Sequence, residues 1–333
     1  MLALTIDGVH QPLQLKELPD PQPADGEAVV RLRAAALNHR DVWIQKGQYA
    51  GLRYPAVLGS DGAGVVSSVG NPQHADWLGR EVIVNPGLGW GDNPHAQAAS
   101  FTILGMPENG TFAEYVKVPV QNLYAKPPHL SWEQAAALPL AGLTGYRALF
   151  SRAAVRPGEK VLVTGVGGGV ALLVLQFAAA AGATVYVTSG SDEKIQQAVA
   201  MGAAGGANYN HPDWPGQLKQ QAGAFDVIVD SAAGDGFAQL VDVAAGGGRI
   251  VFYGGTRGAI NNLVPGRVFW KQLSVLGSTM GSDAEFAAMV DFVNEKKLVP
   301  VVSRVFSLQE GNAALEFMKS SSQFGKIVLR IGS

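Results

Sequence analysis

Val161-Leu162-Val163-Thr164-Gly165-Val166-Gly167-Gly168-Gly169-Val170-Ala171 decides how this chain is read. A short aliphatic run enters a glycine-rich turn and then a stretch, residues 170–181, that is apolar on every side. The order is strand, tight turn, buried helix. Missing side chains at the turn let the backbone approach a pyrophosphate, and the start of the helix offers amide donors and a positive partial charge. The literal G-x-G-x-x-G spacing fails, because Gly165 and Gly167 are followed by Val170. The register that works is Gly165-x-x-Gly168-x-x-Ala171, with Ala171 as the small residue where helix meets strand. Gly169 and Val170 then open the helix. A plain turn between strand and helix is the competing account of the same residues.

Downstream, residues 184–188 form the next candidate strand and residues 192–201 a helix stopped by Gly202. Residues 226–230, 249–253 and 273–277 continue the series. Apolar strands separated by helices predict a parallel sheet covered on both faces, a doubly wound Rossmann sheet of the α/β class. Sheets of this kind that prefer NAD place Asp or Glu about 20 residues beyond the glycines. Here that place is Thr188-Ser189-Gly190-Ser191. No carboxylate in it repels a 2′-phosphate. Lys194 follows in the first helical turn, where a cation opposes the helix dipole unless an anion is near. Ser189 and Lys194 therefore point to NADP(H); taken alone, Lys194 also reads as a solvated lysine.

Upstream, residues 28–34, 63–70 and 81–84 are short strands bounded by Gly, Pro or Asn, and the first 120 or so residues are mainly β. Residues 87–110 read as a long loop. Ser131-Trp132-Glu133-Gln134 is a capping box ahead of an Ala-rich helix. The tail, residues 283–333, holds two helices around an extended piece at 300–302 and ends in a strand at 326–330. It is placed to return and complete the first domain, with the nucleotide domain inserted between.

The 333 residues fit two domains at a prior of ~150 residues each. Apolar residues make up 47% and charged ones 16%, enough for a large core. With a net charge of −2, no concentrated basic surface is evident for nucleic acid. The absence of cysteine excludes disulfides and thiolate metal sites. The first residues lack the pattern of a signal peptide, and the longest apolar run, broken by Gln176, is too short to span a bilayer. The expectation is a cytoplasmic enzyme with a small-molecule substrate and no membrane partner.

Further motifs are Leu37-Asn38-His39-Arg40-Asp41 with Gly47-Gln48-Tyr49, Gly59-Ser60-Asp61-Gly62-Ala63-Gly64-Val65-Val66, Gly110-Thr111-Phe112-Ala113-Glu114-Tyr115, and Ala137-Leu138-Pro139-Leu140-Ala141-Gly142-Leu143-Thr144. With the glycine-rich turn, they make the chain resemble the medium-chain dehydrogenase/reductase superfamily over nearly its whole length, in particular its zinc-free quinone oxidoreductase-like branch. The resemblance implies a GroES-like, mainly β catalytic domain from residues 1–125 and 270–333, around a Rossmann domain at 126–269, with the active site in the cleft between them. It implies that Lys194 and Tyr209 flank the 2′-phosphate and that Thr144 contacts the nicotinamide end. Gly254 and Gly255 would sit beside the cofactor, Ser278 and Thr279 beside the nicotinamide, and Lys326 would be a late phosphate-side lysine. Residues 263–278, with Phe269, Trp270 and Val275, resemble the family's dimerisation segment and imply a homodimer.

Zinc-dependent members of the superfamily place Cys, His and often Cys on the metal; the matching positions here are Asn38, Ser60 and roughly Leu140, none a good zinc ligand. Asp41, Asp61 and His39 offer an oxygen-rich alternative, with His39 read rather as an ordinary polar loop residue. Without a Lewis acid, a simple alcohol is hard to deprotonate, whereas a quinone or an activated C=C bond in an enone or 2-alkenal is already electrophilic. Asn38, Asp41 and Tyr49 are the candidate catalytic residues. Asn38, with nearby amides or water, would bind the developing oxyanion, and Tyr49 or solvent would supply the proton; Tyr49 reads equally well as packing. Trp43, Tyr49, Tyr54 and Trp90 would either line a cleft for flat, apolar substrates or fill the core. A zinc-type alcohol dehydrogenase and a non-catalytic NADPH-binding sensor or structural protein are the competing functions.

Overall fold

The computed structural model describes residues 1–332. The chain divides into two compact units, residues 1–143 with 281–333 and residues 144–280. The second unit is therefore an insertion in the first.

The inserted unit carries a six-stranded parallel sheet in the order Gly205–Asn208, Thr184–Ser189, Lys160–Val163, Phe225–Asp230, Ala244–Phe252, Ser274–Gly277. Strand order reverses between Lys160–Val163 and Phe225–Asp230, so the switch point opens beside the glycine-rich turn. Val161, Leu162 and Val163 are wholly buried, as expected of a strand covered on both faces. The helix that follows, Gly169–Ala180, buries seven residues around its circumference, from Ala171 to Ala178. Fully burying Phe177 or Leu175 contributes roughly 1.5–3 kcal/mol each, so this helix is held by packing more than by propensity. Strand Gly205–Asn208 and helix Trp214–Ala222, which buries Trp214, Leu218 and Ala222 along one face, were not among the elements expected from the sequence.

The outer unit is β-rich. Its main sheet runs Leu123–Ala125, Glu81–Val84, Asp61–Val69, Glu27–Ala36, Lys326–Arg330, Val302–Ser307, with Tyr115–Pro119 also paired to Glu27–Ala36. The final strand does return to the first part of the chain, antiparallel to Glu27–Ala36. Residues 87–110 are irregular apart from a two-stranded ladder, Gly87–Leu88 with Thr102–Ile103. The architecture is α/β: a Rossmann-like parallel sheet plus a β-rich GroES-like domain.

The unit boundaries fall at 143/144 and 280/281 rather than at 125/126 and 269/270. Helix Trp132–Ala136 packs on strands Glu27–Ala36 and Asp61–Val69, and Glu133 pairs with Arg330 at 2.9 Å, which keeps this segment in the outer unit. Strand Ser274–Gly277 pairs with Ala244–Phe252, which keeps it in the inserted one. Among the described residues no helix is long and apolar enough to cross a membrane.

Candidate functional site

In the inserted unit, Gly165 and Gly167 adopt φ of +67° and +126°, a region L side chains rarely enter, so glycine lets the chain reverse here without strain. Gly168 is the N-cap of helix Gly169–Ala180 and offers no side chain to its first amides, Gly169 and Val170 included. A Cβ built on Gly168 would meet nothing within 4 Å, so the turn leaves an open cradle over uncapped helix amides. That arrangement fits a dinucleotide pyrophosphate. Ala171 is buried at the helix–strand contact. The neighbouring strand is fixed by Asp230, whose carboxylate accepts from Thr164 Oγ1 (2.6 Å) and the Ala233 amide (2.7 Å).

At the end of Thr184–Ser189, Ser189 is buried and its hydroxyl accepts from the Ser191 amide at 3.4 Å. Ser191 caps helix Asp192–Ala200 by accepting from the Lys194 amide at 3.3 Å. Burial holds the Lys194 ammonium below the usual lysine range, partly offset by Glu193. Carboxylates do stand in this first turn, Asp192 and Glu193; Asp192 is turned to Asn208 Nδ2 at 3.0 Å. The Tyr209 amide donates to Ser189 O (3.0 Å), and a Cβ on Gly190 would lie 2.8 Å from the Tyr209 hydroxyl. Arg257, which no sequence signal singled out, places its guanidinium 5.2 Å from the centroid of the Tyr209 ring. A Cβ on Gly254 would sit 2.5 Å from Ser231 O, so this backbone needs glycine to pass, whereas Gly255 is open. Past the last strand, Ser278 donates its amide to Phe252 O (2.9 Å) while its buried hydroxyl lacks a partner; Thr279 beside it is exposed. Thr144, the unit's first residue, directs its hydroxyl to Met280 Sδ at 4.0 Å.

The outer unit holds a buried charge network. Register builds it. Val328 faces Ala36 in one antiparallel pair and Asp61 faces Ala36 in another. Lys326, two residues before Val328, therefore arrives beside Leu37 and Asn38, with Asp61 on the other side. Its Nζ donates to Leu37 O (2.8 Å), Asn38 Oδ1 (2.6 Å) and Asp61 Oδ2 (2.9 Å). Asn38 Nδ2 donates to Asp61 Oδ2 at 2.9 Å, and the Leu140 amide to Asp61 Oδ1 at 2.7 Å. Asp41 is fully buried; its Oδ2 accepts from the Asn38 amide (2.8 Å) and its Oδ1 has no partner. Burial pushes its carboxyl up to about 6, against the pull of Arg40 and of the Asn38 hydrogen bond. Arg40 donates to Ser60 Oγ (2.6 Å), Leu104 O (2.7 Å) and the Tyr49 hydroxyl (3.1 Å).

Lys326 thus spends its three N–H donors inside the outer unit, and the phosphate role expected of it is not carried forward. Asn38 and Asp41 come together; the Tyr49 hydroxyl accepts instead from Arg40, which also donates to Ser60 and Leu104 O. Ser60 binds Arg40, Asp61 is committed to Lys326, Asn38 and Leu140, and His39 is exposed, so these side chains do not assemble as a ligand set. Among the described residues no group of three or more His, Cys, Asp and Glu could hold a metal. Trp90 is 2% exposed, with Phe101 edge-on at 5.3 Å, and is core rather than lining. Trp43, Tyr49 and Tyr54 are half-buried.

Residues 24–128 match the alcohol dehydrogenase GroES-like domain and residues 169–295 the zinc-binding dehydrogenase family. The zinc-type alcohol dehydrogenase-like protein YogA of Leptosphaeria maculans is 35% identical, over 97% of this chain and 96% of its own length. The chain belongs to the medium-chain dehydrogenase/reductase superfamily. A quinone oxidoreductase of Mus musculus, another similar protein, is 30% identical over 93% of this chain and 90% of its own. A solved structure of an NAD-dependent alcohol dehydrogenase superposes with a TM-score of 0.93 at 39% identity, covering 100% of both chains. The protein is an oxidoreductase of this superfamily, in which binding of NAD(P)(H) is typical.

Proposed function

We propose that this protein moves a hydride between NADP(H) and a quinone or an activated C=C bond, as in an enone or 2-alkenal, without a metal. One observation carries the metal-free reading. The position that zinc members give to a cysteine is Asn38, and its carbonyl oxygen accepts from the Lys326 ammonium at 2.6 Å. The adjoining carboxylate, Asp61, is neutralised by the same ammonium at 2.9 Å. A fixed cation already occupies these oxygens, and a second cation would be repelled.

The dinucleotide, when bound, supplies or accepts the hydride. The chain's own part is electrostatic. Lys326, by donating to Asn38 Oδ1, withdraws electron density from the amide and makes its free N–H a stronger donor. That N–H, with nearby amides or water, stabilises a developing enolate or quinol oxygen. Tyr49, whose hydroxyl accepts from Arg40 Nε, or solvent returns the proton. Lys194 and Tyr209, beyond the open end of strand Thr184–Ser189, support NADP(H) over NAD(H).

The test is a panel of quinones, enones, 2-alkenals and primary alcohols with NADPH and NADH, before and after chelation. Chelator-resistant, NADPH-dependent turnover of the first three classes is expected. Alcohol oxidation lost on chelation and restored by zinc would replace this reading with that of a zinc alcohol dehydrogenase. A chain that binds NADPH yet turns over nothing would favour a sensor.

The partner is a second copy of the chain. Phe269 and Trp270 are 65% and 84% exposed, next to the sheet's edge strand Ser274–Gly277. An edge strand with large apolar neighbours is satisfied by the same strand of another copy under two-fold symmetry.

A further inference from the structure

Tyr209 and Arg257 approach each other from opposite sides of the parallel sheet's switch point. Tyr209 follows the outermost strand, Gly205–Asn208, and is tied by its amide to Ser189 O at 3.0 Å. Arg257 lies in the loop after Ala244–Phe252. Backbone bonds hold that loop down over the end of strand Phe225–Asp230: Arg257 N to Ala232 O at 2.9 Å, and Gly234 N to Gly258 O at 3.1 Å. From this anchor the guanidinium reaches 5.2 Å from the Tyr209 ring centroid. The two side chains arch over the carboxyl ends of the intervening strands, where open α/β sheets take their ligands.

A guanidinium is planar and stays charged while it lies flat on a π face, which an ammonium cannot do. Arg257 lies over the Tyr209 ring, its guanidinium carbon 5.2 Å from the centroid. A purine offers the same kind of face, larger and at the same end of the crevice. Anchoring the loop by its backbone fixes where the guanidinium can reach while Arg257 itself stays exposed.

We propose that Arg257, placed 5.2 Å from the Tyr209 ring centroid, binds the adenine ring of the dinucleotide by laying its guanidinium on the purine face. The assignment rests on the crevice being a dinucleotide site, and not on the choice between NADP and NAD. Adenine is common to both; the 2′-phosphate assigned to Lys194 is not.

Dissociation constants for NADPH, NADH and 5′-AMP, measured by calorimetry on the wild type, Arg257→Ala and Arg257→Lys, test it. Arg257→Ala is expected to weaken all three by a common factor of about 10. Arg257→Lys should recover less than half of the loss in binding free energy, because the charge returns without the plane. Unchanged affinities would overturn the proposal. So would a loss confined to NADPH, which would put the guanidinium on the 2′-phosphate, and so would full rescue by lysine, which would make the effect one of charge alone. A wild type that binds NADPH and NADH equally refutes the Lys194 reading but supports the present one if Arg257→Ala still weakens both. A wild type that binds none of the three overturns both. Because Arg257 is exposed, both variants should melt with the wild type, and that measurement accompanies the titrations.

Discussion

Lys326→Met removes one partner of a buried ion pair while roughly keeping its volume. The Lys326 side chain is 5% exposed and that of Asp61 0%. In the variant, Leu37 O and Asn38 Oδ1 each lose a donor, and Asp61 keeps only Asn38 Nδ2 and the Leu140 amide. Two hydrogen bonds do not replace a cation for a carboxylate out of water. Breaking such a pair from one side costs about 3–5 kcal/mol, mostly the energy of the stranded charge rather than the worth of the pair. The double variant Lys326→Met/Asp61→Asn removes that charge and should recover at least half of the loss. Urea unfolding at neutral pH, followed by fluorescence with m held constant across variants, reads both numbers. The reasoning fails if Lys326→Met costs under about 1 kcal/mol, or if the double variant is as unstable as the sum of the two single ones.

Lys194→Ala should weaken NADPH by roughly 10-fold or more, the worth of a charge-assisted phosphate contact, and leave NADH little changed; equal losses for both would remove Lys194 from that role. Asn38→Ala should lower turnover on accepted substrates on the order of 10²-fold with NADPH binding intact, and near-normal turnover would put the oxyanion elsewhere. Asp41 is raised by burial from 3.8 to about 6, so the folded chain holds its proton more tightly than the unfolded one and stability falls as pH rises through that window, then levels. Asp41→Asn keeps an oxygen for the Asn38 amide and cannot ionise; its stability relative to wild type should climb between those pH values and stay constant above, whereas a pH-independent difference would show that the carboxyl does not titrate there. Trp270→Glu should convert a dimer to a monomer in light scattering; a wild type that is already a monomer at micromolar concentration would rule the dimer out.

What the sequence determined by itself was local. The turn at Gly165 and Gly167 was legible because glycine enters positive φ without strain. The helix after it was legible because its residues are apolar on every side, and the alternation of strands and helices from Lys160 onward fixed the Rossmann class because period and turn chemistry act within a few residues. Asn38 and Asp41 meet because Asn38 is the N-cap of helix His39–Gln45 and Asp41 its third residue, a helix that reading His39 as a loop residue did not anticipate.

Tertiary structure alone decided the rest. Lys326 reaches Asn38 across 288 positions and Asp61 across 265, and its role turns on strand register. Shifting the pairing of Lys326–Arg330 against Glu27–Ala36 by one residue would turn the lysine to the other face of the sheet. A sequence motif shared with phosphate-binding lysines carries no information about that register. Arg257 meets Tyr209 through a loop anchored by backbone bonds, which any sequence could make, so nothing in its neighbours marks it. The unit boundaries likewise followed from which strands helix Trp132–Ala136 packs on and which strand Ser274–Gly277 pairs with. Local propensities fix the elements; which distant side chains share a site depends on register and packing between them.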